Sequence, residues 1–479
     1  MNPTDLRARL TGWFATWRPV LPLFAAEFIV WIGFGALLPV LPLYFLGQGV
    51  DLATLGIVVA AWPAARLVGE PAFGWLADRT ARVPLMVGGL VFSGIFLGAP
   101  LVVHGATAFV LMRALAGLAT AAYDPAARGF IIDAMPAEKQ GEAFGWYGSF
   151  QMSGLFVGPA IGGFGAIAFG GIGFGLVFGG ITSLLAAVAV GLTVREGPRR
   201  GMVAALPGGL DDLAPDRPPL SGSAASSGRA TPPTSLVNRL LIAAVILNAS
   251  GNFGGGTYDV IWSPYLTALG GSPGLVGLTF SMFSIPVLVL GPIVGRLVDR
   301  RGTLGFLIVG SCMVGVASLL YTLISDAFLA VPIILLEATG FAIIWPALYA
   351  IVARGSPAGR SSTAQGVYGA FGTVGFIVAS LVTGVLASGD MHRPFYLFSA
   401  VSFGFLALAL FVGARSILAT EPSTIGRRHL AGGGVLEAAG HLTGFVTEPA
   451  METASGSPGG GPPMDAVGAP GSRPPGGAR

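Results

Sequence analysis

Long stretches almost without charge, recurring along most of the chain, constrain this sequence more than any other feature. Residues 83–103, 303–324 and 394–413 contain no charged side chain at all, and a helix needs about 20 apolar residues to cross the hydrocarbon core of a bilayer. The hydropathy pattern predicts twelve such spans, near 20–46, 53–76, 83–103, 106–131, 142–168, 172–194, 238–268, 274–297, 303–324, 329–352, 364–387 and 394–415. Only 10% of the 479 residues are charged. A soluble domain carries about 25%, so the chain lacks the charge to cover a water-facing surface. The expected fold is therefore an all-α membrane protein of twelve transmembrane helices.

The remaining segments differ in composition. Residues 1–19 place Leu6, Leu10, Trp13, Phe14 and Trp17 at helical spacing beside Arg7, Arg9 and Arg18, the pattern of a helix lying in the membrane interface. Residues 195–236, rich in Pro, Ser, Gly and charge, read as a cytoplasmic linker between six-helix units at 20–194 and 237–415. Residues 416–479 turn to Gly, Pro and Ser and read as a largely disordered tail. With the amino terminus inside, inner segments hold Arg79, Arg82, Lys139, Arg195, Arg200, Arg300, Arg301, Arg354 and Arg360, among others, and the outer loops only Arg393. That asymmetry puts both termini in the cytoplasm of a cell membrane. Lys139 is the sole lysine among 26 basic residues, a bias that points to a GC-rich bacterial genome. Cys312 stands alone, so no disulfide framework exists.

The two halves are copies. Tyr44, Gly74, Asp78, Pro125, Tyr147, Phe150 and Gly163 lie 221 positions before Tyr265, Gly295, Asp299, Pro346, Tyr368, Phe371 and Gly384. One register holding across spans 1, 2, 4 and 5 marks duplication of a six-helix unit, a construction that puts a transporter's site between the repeats near mid-membrane.

Short motifs sit at the ends and in the interior of these spans. The loop after span 2 reads Gly74-Trp-Leu-Ala-Asp78-Arg79-Thr-Ala-Arg82, and the loop after span 8 reads Gly295-Arg-Leu-Val-Asp299-Arg300-Arg301-Gly302. Span 1 contains Gly33-Phe-Gly-Ala-Leu-Leu-Pro39-Val-Leu-Pro42, span 4 contains Arg113-Ala-Leu-Ala-Gly117, and span 5 contains Gly154-Leu-Phe-Val-Gly158-Pro159-Ala-Ile-Gly162-Gly163. Over about residues 20–415 this set resembles the major facilitator superfamily, in particular its twelve-helix drug/proton antiporters. The loops are similar to motif A, with Ala81 and Val83 departing from it in the first copy. The span 4 stretch is similar to motif B, with Ala116 in place of the usual Gln. The span 5 stretch is similar to the antiporter motif C, which the equivalent Ala379-Ser380 of span 11 does not repeat. The resemblance implies that the motif A residues Gly74, Asp78, Arg79, Arg82, Gly295, Asp299, Arg300 and Arg301 latch one conformation through charge at helix ends. It implies that the close-packing Gly154, Gly158, Gly162 and Gly163, with the bend at Pro159, suit an exporter.

Charges inside spans are expensive, about 2.5–3.5 kcal/mol each at a span's centre, and call for a reason. Arg66 and Glu70, and Asp124 and Arg128, are helical neighbours that read as structural pairs. Glu27, Arg113, Asp259 and Glu337 have no partner one turn away. By the resemblance, Glu27 is a candidate proton and cation site and Arg113 the group that tunes it, against the alternative of a permanent Glu–Arg bridge. Asp259 is expected near the outer end, where it is either functional or merely hydrated, and Glu337 deeper. In span 7, Asn248, Gly251, Asn252 and Gly254-Gly255-Gly256 weaken a helix and read either as a hinge lining a cavity and part of the substrate site or as close packing of the two halves. Trp31, Phe34, Trp62, Tyr123, Trp146, Trp262, Phe283, Trp345 and Tyr368 are candidate cavity aromatics.

The expected function is proton-coupled efflux of amphipathic or cationic small molecules by alternating access. The alternatives are a uniporter or symporter of a small metabolite, a lipid flippase, and a non-transporting membrane scaffold. An enzyme is not expected. His104, His392, His429 and His441 form no catalytic or metal set, and no phosphate-binding G-x-x-x-x-G-K-[ST] loop occurs. The expected partners are small-molecule substrate, protons and the lipid bilayer, with no cofactor, no metal and no nucleic acid, in a monomer.

Overall fold

A computed structural model describes residues 16–136, 139–196, 235–357 and 360–421. The segments expected as interfacial helix, linker and tail fall outside the described residues except at 16–19, 195–196, 235–236 and 416–421.

Among the described residues, eleven helices are long and apolar enough to cross a membrane, and a bent pair makes the twelfth. Span 1 is that pair, Leu21–Leu37 and Leu41–Gly47, meeting at 44°. Pro39 lies in the break and Pro42 in the first turn of the second helix, where the missing N–H costs nothing. The other spans are Leu52–Arg79, Arg82–Gly98, Ala106–Ala134, Gln140–Ala168, Phe174–Thr193, Arg239–Ala268, Pro273–Arg301, Leu304–Tyr321, Ala330–Gly355, Ser361–Ala387 and Arg393–Ala419. Side-chain caps start several of them. Asp51 accepts from Thr54 N at 2.9 Å before span 2, and Ser272, its counterpart 221 positions on, accepts from Leu275 N before span 8.

Packing repeats as the sequence does. In the first half span 1 packs on 5 and 6, span 4 on 2 and 3, and span 3 on 6; in the second, 7 packs on 11 and 12, 10 on 8 and 9, and 9 on 12. The halves meet chiefly through spans 5 with 8 and 2 with 11. Both seams close on glycine pairs. A Cβ on Gly163 would lie 3.1 Å from Gly277 Cα, and one on Gly56 would lie 3.2 Å from Gly384 Cα. Gly56 and Gly277, like Gly163 and Gly384, are counterparts at the 221 offset, so one contact is the other turned about the pseudo-two-fold axis.

These contacts lie at the end of the molecule carrying the 1–2, 5–6, 7–8 and 11–12 loops. A core there, including Phe45, Leu55 and Val58 of the first half with Trp262, Tyr265 and Leu266 of the second, joins the two bundles. Each bundle has a further core of its own toward the opposite end. At that opposite end the interface helices part: a Cβ on Gly145 or Gly148 of span 5, Gly291 or Gly295 of span 8, or Gly366 or Gly369 of span 11 would meet nothing within 4 Å.

Span 7 runs unbroken through its glycines. The space left by the missing side chains is filled: a Cβ on Gly254 would run into the Phe398 ring, and one on Gly256 would lie 3.0 Å from Ala379 Cβ. The run packs closely, but against spans 11 and 12 of its own half and not between the two halves as the second reading had it.

Candidate functional site

Glu27 is fully buried in the first half. Its Oε1 accepts from Trp31 Nε1 at 2.8 Å, one turn along the same helix, and from Gln151 Nε2 of span 5 at 3.0 Å. Its Oε2 accepts from the Tyr123 hydroxyl of span 4 at 2.8 Å, and Tyr147 of span 5 lies beside it. Every donor is neutral, and no ion pair within 4 Å involves Glu27 among the described residues. The packing that brings span 5 this close depends on motif C. A Cβ on Gly154 would lie 2.8 Å from Trp31 Cβ, and one on Gly158 2.8 Å from Gly35 Cα, so Gly154, Gly158 and Gly162 form a seam against span 1. Gly163 instead faces span 8, and beside it Ala160 N, just past Pro159, donates to Ser281 Oγ at 3.1 Å across the seam between the halves.

Glu337 occupies a matching environment in the second half. It is buried, and its Oε2 accepts from the Tyr321 hydroxyl at 2.9 Å, while its Oε1 and the nearby Tyr258 hydroxyl have no hydrogen-bond partner among the described residues. Tyr258, Trp262, Tyr265, Tyr321, Phe395 and Phe398 pack ring against ring around it. Here too the neighbours are neutral.

Arg113 lies apart from the Glu27 shell. It is 6% exposed, with its guanidinium carbon 6.0 Å from the Trp62 ring centre, and Nε and Nη1 have no hydrogen-bond partner among the described residues. The charge it faces is Asp259 of span 7, across the seam between the halves and beyond ion-pair distance. Asp259 is thus half-buried at the interface and opposed by a cation. The four isolated charges read from the sequence form two neutral-walled carboxyl sites and one opposed pair between the bundles.

The Arg66–Glu70 pair forms at 2.6 Å. Asp124 pairs with Arg66 of span 2 and not with Arg128, which is exposed, so the triad ties spans 2 and 4 together. In motif A, Asp78 is 74% exposed at the side chain and reaches Arg82 at 3.8 Å, while Arg82 pairs with Asp133 of span 4 at 2.7 Å. Arg79 lies over the Trp75 ring at 4.1 Å. In the second copy Asp299, Arg300 and Arg301 are exposed. Among the described residues no three His, Cys, Asp or Glu side chains gather as a metal site.

The sequence model of the Major Facilitator Superfamily matches residues 23–258 and again 241–447. The chain belongs to the major facilitator superfamily. The first match runs past span 6 into span 7, and the second runs from span 7 past span 12. Among curated superfamily relatives, "Quinolone resistance protein NorA" of Staphylococcus aureus (strain MRSA252) is 23% identical over 406 residues, 82% of this chain and 96% of NorA. "Multidrug resistance protein 2" of Bacillus subtilis (strain 168) is 24% identical over 381 residues, 77% of this chain and 88% of that one. Among solved structures, a bacterial homolog of the human lysosomal transporter Spinster, inward-facing and occupied, aligns with TM-score 0.67 and 15% identity over 84% of this chain and 98% of that one. A mutant of the nucleoside transporter NupG aligns with TM-score 0.64 and 15% identity, over 82% and 99%. The superfamily fold is shared with both.

Two further carboxylates emerge only from the superfamily fold. Glu196, just past span 6, accepts from the backbone N–H groups of Arg82 and Val83 at the start of span 3. Glu421, just past span 12, accepts from Thr303 N at 2.8 Å and Leu304 N at 3.0 Å at the start of span 9. Each places an anion at a helix N-terminus. They fall in segments whose composition reads as linker and tail. The available signal was an acid within a few residues after the last span of each repeat, although Glu421 lies four residues beyond the counterpart of Glu196 in the 221-residue register.

Proposed function

We propose that this superfamily member exports amphipathic, cationic small molecules in exchange for protons, by alternating access. The observation that carries the reading is Glu27, a fully buried carboxyl held by three neutral donors and paired with no cation within 4 Å among the described residues. A charge buried without a counter-ion is costly, whereas a neutral carboxylic acid is not. Such a group suits a site that holds a proton in one state and yields it when a cation arrives. Glu337, also walled by neutral hydroxyls and rings, is a second site of the same kind. Asp259 and Arg113 then act between the bundles: when a cation or proton neutralises Asp259, Arg113 loses the charge it faces, which biases the bundles' separation.

The names of the relatives support the substrate class, since NorA is named for quinolone resistance and the Bacillus subtilis protein for multidrug resistance. Reading the basic loops as cytoplasmic, with both termini inside a bacterial cell membrane, makes the glycine-sealed end the outer one and the state described here inward-open. Motif C then seals the outer face. The protein works as a monomer, and motif A biases the equilibrium between states.

The test is flux. In liposomes with an imposed pH gradient, tetraphenylphosphonium and other lipophilic cations should dissipate the gradient through the parent protein, read by a trapped pH dye. Glu27→Gln and Glu337→Gln should each abolish this coupling. Labelled solute crossing with no proton movement in the parent would replace antiport by uniport.

A further inference from the structure

The Arg66–Asp124–Glu70 triad is more than a joint between helices. One guanidinium serves two carboxylates, with Glu70 at 2.6 Å and Asp124 bonded to the same Nη2. The triad therefore carries a net negative charge, and a proton can settle on either acid while the other still holds Arg66. Asp124 is 8% exposed at its side chain and Glu70 36%, so the triad leads from the interior toward the end where motif A lies. A cavity lies between Arg66 and Asp124 of the triad and two of the side chains that donate to Glu27, while Glu27 and Glu70 themselves do not line it. Trp31 and Tyr123, both donors to Glu27, line this cavity together with Arg66, Asp124, Phe34 and Trp62. It measures about 30 Å³. A water needs about 10–15 Å³ of such space and several polar partners, while drug-sized ligands occupy about 300–1,000 Å³. The cavity thus admits water and excludes the substrate.

We propose that Asp124 and Glu70 relay the proton between Glu27 and the basic-loop end of the protein, with Arg66 as the positioning residue. This rests on the reading of Glu27 as a proton carrier. In the step, the Glu27 O–H bond breaks as its proton passes to the Tyr123 hydroxyl oxygen, that hydroxyl gives its own proton to cavity water, and the water gives one of its protons to the Asp124 carboxylate. Glu27 gains the negative charge that Asp124 loses. Asp124 passes the proton to Glu70 and so to bulk water, and Arg66 keeps one carboxylate partner throughout. The charged and titratable groups facing the path are Glu27 of span 1, Arg66 and Glu70 of span 2, Tyr123, Asp124 and Arg128 of span 4, and Tyr147 of span 5.

The experiment is stopped-flow infrared spectroscopy of the full chain in liposomes mixed into D2O, following the carboxylic-acid C=O band that Glu27→Gln removes. Hydrogen-to-deuterium exchange of that band should slow about a hundred-fold in Asp124→Asn, in line with losing one proton-transfer group, and Asp124→Glu should restore it. Because Asp124→Asn strips Arg66 of a buried partner, the double variant Arg66→Met with Asp124→Leu is measured beside it. Replacing a buried pair by apolar side chains is commonly tolerated, and its thermal midpoint shows whether it folds. Slow exchange in this folded double variant supports the relay. Exchange at the parent's rate overturns it and leaves the triad a joint, with Glu27 still a proton carrier. If Glu27→Gln removes no band, the reading of Glu27 fails first and the relay falls with it.

Discussion

Glu27 and Asn248 occupy equivalent places in the two repeats, 221 positions apart, yet only one can hold a proton. Asn248 donates from Nδ2 to the Tyr368 carbonyl at 2.7 Å, and Tyr368 is the counterpart of the Tyr147 that lies beside Glu27. The second bundle keeps its carboxyl elsewhere, at Glu337, so the repeats share a scaffold and divide the chemistry. Glu27→Asn should therefore retain the packing of span 1 and lose proton coupling, with a thermal midpoint close to the parent's and no gradient dissipation. The carboxylate caps make a different prediction. Glu421→Ala should cost about 0.5–2 kcal/mol, the usual range for a lost cap, seen as a lower thermal midpoint, while substrate-driven proton flux persists at reduced temperature. At Asp51, the Thr54 N–H and hydroxyl hold the carboxyl below its ordinary value of 3.8. The cap's stabilisation is therefore complete above 3.8 and fades as pH falls through the lowered value. Asp51→Asn, which caps without titrating, should flatten the acid side of the curve of thermal midpoint against pH. Residue identities were legible where a charge interrupts an apolar span, as at Glu27, Arg113 and Glu337. Their partners were not. Helical spacing favours Arg128 for Asp124, but helix packing points Arg128 outward and brings Arg66 in from span 2.

Among the elements, spans 2, 5, 8 and 11 carry the contact between the halves, and glycine decides where they touch. The glycine pairs Gly56–Gly384 and Gly163–Gly277 leave no room for a side chain. Overpacking a tight contact costs about 1–3 kcal/mol. Gly163→Val and Gly56→Val should each shift the equilibrium away from the sealed state by about one to two orders of magnitude. Spin labels at Gln48 and Ser388, in a background with Cys312→Ala, check this: the distance distribution should move to longer separations in both variants. Glycine spacing in span 5 was readable as a packing motif from sequence. That three of its glycines face span 1 while Gly163 faces the other bundle was not, since a four-residue ladder and its neighbour differ only in which helix stands opposite. The glycine run of span 7 misleads for a related reason. Propensity counts the missing side chains as weakness, but Phe398 and Ala379 occupy the space and hold the helix straight.

At the scale of the whole molecule, two six-helix bundles are joined at one end and parted at the other. Hydropathy and the 221-residue register were enough to anticipate that architecture, because lipid permits few alternatives to helices that satisfy their own backbone. The state of the assembly was not legible, since both inward-open and outward-open forms satisfy the same pattern of spans. The proposed antiport requires that proton and substrate not occupy Glu27 and Glu337 together, and this is the central claim. It is tested most directly by proton release on binding. The purified parent protein is held in weakly buffered detergent near neutral pH, and tetraphenylphosphonium, or whichever cation dissipates the gradient in liposomes, is added while pH is recorded. Binding should acidify the solution in the parent, with less acidification in both Glu27→Gln and Glu337→Gln. Saturable binding of the cation with no proton released from the parent, across the range from acid to alkaline pH, would contradict the account.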